Sequence, residues 1–144
     1  MKNIILLLML LVASAGFSQK EEHLERIKAE KVAFITEELE LTSKDAQAFW
    51  PVYNEYSEKI DVIRKKIHKL KLALKDYKTL SEKDQKEKLT QIFDLESQEN
   101  EIKKRYLKKF EAVVTTQKAV GVFVAEEKFK RHLLHKLKEH HRRK

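Results

Sequence analysis

Near the end of the chain, His132, His135 and Glu139 are spaced i, i+3 and i+7. On a helix this spacing brings all three to one side, and imidazole with carboxylate is a donor set for zinc, nickel or copper. Their surroundings oppose it. Arg131 and Lys136 would repel a cation, and His140-His141 reads as more of the same polar run. The three are therefore weak metal candidates, and no cofactor is expected. His23 and His68 stand alone and read as surface residues. Glu99 lies at the centre of an apolar stripe. It is read as the partner of a base across a helical pair, with Arg64 in reach; the rival reading is a buried carboxylate with a raised pKa. There is no cysteine, which excludes thiol catalysis, iron–sulfur clusters, thiolate zinc sites and disulfides. No glycine-rich loop or serine–histidine–acid set is present, so an enzyme is not expected.

The elements that must position these residues are helices. After residue 18 the chain keeps one glycine, Gly121, and one proline, Pro51, and it is rich in Lys, Glu, Leu and Ala. Strands need turns, turns draw on Gly, Pro, Asn and Asp, and this composition points to an all-α domain. Residues 1–18 stand apart. A short basic start, the apolar run IILLLMLLV and a small-residue exit match the order of a secretory signal peptide. Ala13-Ser14-Ala15 is one cleavage site, and the bond before Gln19 is another. The apolar run is shorter than the roughly 20 residues of a membrane-spanning helix. A periplasmic destination is then the expectation. The organisation is a signal peptide over 1–18, a helical domain over 19–127 and a basic helix end and tail over 128–144.

Periodicity and caps divide the domain into four helices. The first covers about residues 20–40, with Leu24, Ile27, Phe34, Ile35 and Leu39 on one side. The second opens at Leu41-Thr42-Ser43-Lys44-Asp45, with Thr42 as cap and Asp45 three residues on. From there Phe49, Tyr53, Tyr56, Ile60, Ile63, Ile67, Leu70, Leu74 and Tyr77 keep a 4-3 spacing, the seam of a paired helix. It would be roughly 50 Å long. Leu80-Ser81-Glu82-Lys83-Asp84 repeats the opening pattern, with Ser81 as cap. Leu89, Ile92, Leu95, Ile102, Tyr106, Phe110 and Val113 come after it. A weaker echo at Val114-Thr115-Thr116-Gln117-Lys118 opens the fourth helix, which carries Val120, Phe123, Phe129, Leu133, Leu134 and Leu137.

Charge selects how the middle helices pair. Residues 64–78 are basic and residues 82–101 acidic, while Asp45, Glu55, Glu58 and Asp61 match Lys103, Lys104, Arg105, Lys108 and Lys109. Each exposed pair contributes only about 0–1 kcal/mol, but together they favour a long antiparallel hairpin with two flanking helices. That register sets Phe49 against Phe110 and Tyr53 against Tyr106. Pro51 falls well past the first turn of the second helix, so a kink or a restart is expected there. Phe49, Trp50, Tyr53 and Tyr56 gather around it. They either close the aromatic end of the fold or stay open on a concave face that takes apolar segments of client or partner proteins.

The segment AFITEELELTSKDAQAFWPVYNEY resembles the opening of a family of exported bacterial helical proteins known as sensors of ECF-type sigma factors. AEEKFKRHLL resembles that family's closing helix, so the likeness spans nearly the whole chain after residue 18. More distantly the chain resembles the Spy/CpxP group, whose signature is LTxxQ; here Asp45, Asp84 and Lys118 stand where that group has Gln. The resemblance implies a curved helical hairpin that dimerises into a cradle. It also implies one of two roles: an ATP-independent periplasmic chaperone for unfolded proteins in envelope stress, or a modulator of a membrane-bound sensor or anti-sigma protein. A metal-responsive sensor using His132 and His135 is a third reading.

The net charge is +8. Residues 128–144 hold Lys128, Lys130, Arg131, Lys136, Lys138, Arg142, Arg143 and Lys144 against Glu139 alone, and once Lys2 leaves with the signal peptide this is the whole surplus. Such an end can bind an anionic membrane surface, lipopolysaccharide or an acidic protein, or simply remain solvated. Export makes nucleic acid an unexpected partner. A homodimer is expected from long helices that leave apolar flanks to cover.

Overall fold

A computed structural model describes residues 21–142. The expected signal peptide, Arg143 and Lys144 lie outside the described residues. Helix α1 covers residues 21–38, α2 Ser43–Ala73, α3 Glu82–Glu111 and α4 Thr116–Arg142, with a 3-10 turn at Tyr77–Thr79. No strand occurs among the described residues, so the fold is all-α.

Side-chain caps start three of the helices. The Thr42 hydroxyl accepts from the Asp45 N–H at 3.1 Å while the Asp45 carboxylate accepts from the Thr42 N–H at 3.2 Å, a complete capping box. Ser81 accepts from the Asp84 N–H at 3.1 Å and donates its hydroxyl to Asp84 Oδ2 at 2.7 Å. Thr115 accepts from the Lys118 N–H at 3.4 Å. Each cap contributes about 1 kcal/mol by satisfying an otherwise orphaned donor. At the other end of α1, Glu40 takes φ 47°. That left-handed position after a helix usually belongs to glycine, and a residue with a Cβ there costs about 1–2 kcal/mol.

The described chain forms two compact units. One is Leu41–Gly121; the other joins residues 21–38 and their turn to the part of α4 from Val122 onward.

In the first unit α2 packs on α3 with early residues of one meeting late residues of the other. Phe49 meets Phe110 with ring centroids 5.5 Å apart, and Tyr56 meets Tyr106 at 5.4 Å. Arg64 bonds Glu99, and Ile63 and Ile67 cluster with Ile92. The seam residues Phe49, Tyr53, Tyr56, Ile60, Ile63 and Ile67 are all buried, each contributing about 1.5–3 kcal/mol on leaving water. The charge-matched register had set Tyr53 against Tyr106; the packing instead gives Tyr56 that place and turns Tyr53 toward Phe49, Trp50 and Phe110.

Helix α2 begins at Ser43 and runs through Pro51 without a break or a restart. Pro51 has no N–H for the Gln47 carbonyl, but Gln47 is exposed and water can take its place. The helix ends at Ala73 rather than at Tyr77. Leu80 must be extended (φ −89°, ψ 153°) for Ser81 to cap α3, so residues 74–80 leave the helical period in tight turns and Tyr77 is half exposed.

The second unit has a smaller core of Ile35, Leu39, Val122, Ala125 and Phe129. Phe34 packs on Phe129 at 5.5 Å. Ion pairs link the two helices at Lys31–Glu126 (3.4 Å), Lys128–Glu38 and Lys136–Glu30 (2.5 Å). Helix α4 passes through residues 127 and 128 unbroken, so the described basic residues belong to it. Its inward face differs from the apolar stripe read in the sequence. Ala119, Val122, Ala125 and Phe129 are buried, whereas Val120, Leu134 and Leu137 are exposed.

Candidate functional site

The aromatic group around Pro51 is built by the i, i+4, i+7 spacing of Phe49, Tyr53 and Tyr56, which α2 aims at one side. These three side chains are buried in the Leu41–Gly121 unit, wrapped around Phe110. Trp50 is half-buried, edge-on to both Phe49 (5.1 Å) and Tyr53 (5.3 Å). Edge-to-face pairs of this kind add about 0.5–1.5 kcal/mol beyond area burial. Three of the four aromatic residues read as a protein-binding face thus serve as core, and only Trp50 presents surface.

Tyr106 lies beside them, fully buried, with Lys109 Nζ 4.6 Å from its ring centroid. Its hydroxyl has no hydrogen-bond partner of good geometry, although the Glu55 carboxylate is near enough to act on it. Burial first, then Glu55, pushes the Tyr106 phenol up to about 12.

Further along the seam sits Glu99, 9% exposed. Arg64 donates to Glu99 Oε1 from two nitrogens at 2.9 and 3.2 Å, and Lys103 Nζ lies 2.8 Å from the same oxygen. Burial alone would raise this carboxyl, but the bonds from Lys103 and Arg64 outweigh it and hold Glu99 below the ordinary carboxylate value. That is the ion-pair reading, with a second base that the sequence reading had not assigned.

The echoed motifs meet in space at one point. Asp45 and Lys118, the fifth residues of the first and third echoes, are bonded at 2.7 Å. The bond from Lys118, then those from Thr42, hold Asp45 below its ordinary value. Asp84, the fifth residue of the second echo, bonds its own cap Ser81 instead. Leu41 is half-buried at the start of this unit. The charged residues at two of the three echoed positions therefore form an ion pair joining the start of α2 to the start of α4.

The histidines are drawn into structure rather than toward one another. His132 Nε2 lies 2.9 Å from Glu30 Oε1, and its ring packs on Phe34 and Phe129. His135 is 3.8 Å from Glu139 and largely exposed. Hydrogen bonds from Lys136, then His132, hold Glu30 below the ordinary range. Among the described residues no three His, Asp or Glu gather as a metal site.

What the sequence reading missed is a set of exposed apolar side chains on α2, α3 and the turn between them. Val62, Leu72, Tyr77, Leu89 and Phe93 are all about half exposed, Phe93 most at 59%. Leu89 and Phe93 stand one helical turn apart on the same face of α3. The signal was present in the phase. The seam of α3 runs through Gln85, Lys88, Ile92, Leu95 and Glu99, and Leu89 and Phe93 fall beside it.

No family model matches the chain, and no curated protein or solved structure does either.

Proposed function

We propose that this protein is an exported, ATP-independent binder of unfolded proteins, acting in envelope stress. In this reading α2 and α3 form the long hairpin of a Spy/CpxP-like fold that works as a homodimer. The observation that carries it is the exposure of Val62, Leu72, Tyr77, Leu89 and Phe93 on helices otherwise covered with charge. Isolated exposed apolar residues are ordinary, but a pair one turn apart near a turn that exposes Tyr77 offers unfolded segments a foothold. The dense Lys and Glu around it keep the binder soluble and let clients leave.

The client surface is therefore placed at the turn end of the α2–α3 pair, and Phe49, Tyr53 and Tyr56 support it from within. The test is light scattering of an aggregating client with increasing amounts of the chain from Gln19 to Lys144. Suppression that is lost in a Leu89→Ser, Phe93→Ser variant of unchanged helix content supports the reading. Suppression unaffected by that variant but lost in Trp50→Ala would move the surface to the aromatic end. No suppression at several-fold excess would reject the chaperone reading and favour a modulator of one membrane-bound sensor or anti-sigma partner.

A further inference from the structure

The cations of α4 sort into two sets by what they face. Lys128 and Lys136 are bonded to Glu38 and Glu30 across the helix pair, and His132 joins Glu30 from the same side. Lys130, Arg131, Lys138 and Arg142 lie on the opposite side, exposed, with no acidic partner among the described residues. At 100° per residue these four cover a sector of about 120°. Leu134 lies within that sector and Leu137 about 20° outside its Lys130 edge, and they are 51% and 54% exposed. Glu127 and His141 also fall within the sector; His135 lies about 20° beyond its Arg142 edge, and Glu139, 3.8 Å from His135, about 60° beyond it, toward Lys128.

An outward face that intersperses unpaired cations with exposed leucines is poorly explained by solubility, since lysine alone would serve that end. Nor does it suit an acidic protein tail, which would use the charges and leave the leucines in water. It does match the two layers of a bilayer surface. Headgroup phosphates pair with Lys and Arg, and leucines at the same height enter the headgroup–acyl boundary. We infer that the outward face of α4 from Lys130 to Arg142 is a docking surface for an anionic phospholipid bilayer, with the helix lying in the plane of the interface. Lys130, Arg131, Lys138 and Arg142 supply attraction, and Leu134 and Leu137 supply insertion. This inference is independent of the chaperone reading, because it uses no residue of α2 or α3.

The test uses the chain from Gln19 to Lys144, which contains every described element, mixed with vesicles of phosphatidylcholine with or without phosphatidylglycerol and sedimented. Binding is expected only when phosphatidylglycerol is present, and it should weaken as salt rises. Arg131→Gln with Lys138→Gln and Arg142→Gln should weaken it about a hundredfold, at roughly fivefold per charge near the surface. Leu134→Ser with Leu137→Ser should weaken it about tenfold or more while binding to soluble polyglutamate stays unchanged. All five positions are exposed, so helix content should hold. As a second measurement that removes no cation, Leu137→Cys carrying an environment-sensitive dye gives a unique label, because the chain has no cysteine. Its emission should shift to the blue on phosphatidylglycerol vesicles. Equal binding to both vesicle types, no binding at low salt, or a leucine variant that binds like the parent with an unshifted dye would each overturn the inference. The last of these would leave a general polyanion surface.

Discussion

The unit Leu41–Gly121 and the unit built from α1 and the later part of α4 are made of the same kind of helix but invest their side chains differently. In the first, six seam residues of α2 close on Ile92, Tyr106 and Phe110, and the one buried charge, Glu99, has both Arg64 and Lys103. In the second, Phe129 is the last fully buried side chain among the described residues, and beyond it α4 is largely charged, exposed helix with Leu133 half-buried. The first unit spends most of its aromatic residues on packing and exposes Leu72, Tyr77, Leu89 and Phe93 towards its turn, with Val62 and Val120 exposed elsewhere. The second keeps a thin core and turns a basic, leucine-bearing face outward. Aromatic richness in a sequence thus marked the core, and the more revealing surface residues were scattered leucines and one phenylalanine.

The sharpest way to break this contrast is amide hydrogen exchange. Amides of residues 92–110 should exchange only on global opening, whereas those of 133–142 should exchange at least about a thousandfold faster, because no side chain described there is fully buried. Equal protection in the two segments would mean that the end of α4 is covered by something else. Next in size, Phe110→Ala removes the ring that Phe49, Tyr53 and Tyr56 all touch. It should cost about 3–5 kcal/mol in denaturant unfolding.

Glu99→Ala strands Arg64 and Lys103, which are themselves partly exposed (44% and 34%). Solvent screening therefore reduces the full cost of a broken buried pair to about 1–2 kcal/mol. The pH dependence has a definite sign. Glu99, Asp45 and Glu30 are all held below their ordinary values. Their contribution is thus present above the unfolded carboxylate range of about 4 and is lost as pH falls through the lower folded values. Urea midpoints measured from pH 7 down to pH 3 should fall in the parent, and less steeply in Glu99→Gln. The smallest effect is expected at Tyr106→Phe. Because the hydroxyl has no partner of good geometry, its removal should be neutral or stabilising by up to about 1 kcal/mol. A loss larger than that would show that Glu55 holds it.

Much of this fold is legible in the residues alone. Thr42 and Ser81 announce helix starts because a hydroxyl three residues before an acid has few better uses, and the 4-3 spacing from Phe49 to Ile67 gives six buried residues. The pairing of Glu99 with Arg64 also came from opposite charges at matched positions. The misses have a common cause: apolar type says that a residue gains from burial, not that a neighbour is there to bury it. Leu89 was placed in the stripe of α3 although the seam at that level is taken by Lys88 and Ile92, and in α4 the small Ala119 and Ala125 occupy the inward face that Val120 and Leu134 were expected to fill. Alanine carries a weak hydrophobic signal, so a face built on it is read out of phase. The Asp45–Lys118 bond and the left-handed Glu40 depend on where α4 and the α1 turn come to rest, which no local pattern encodes.

In the proposed reading, clients meet the turn end of the α2–α3 pair rather than the aromatic end. This is tested most directly by placing a photo-crosslinking side chain in place of Phe93 in one sample and of Trp50 in another, then irradiating each with an unfolded client. The account predicts strong adducts from position 93 and weak ones from position 50. Adducts concentrated at position 50, with position 93 silent, would contradict it and return the binding face to the rings around Pro51.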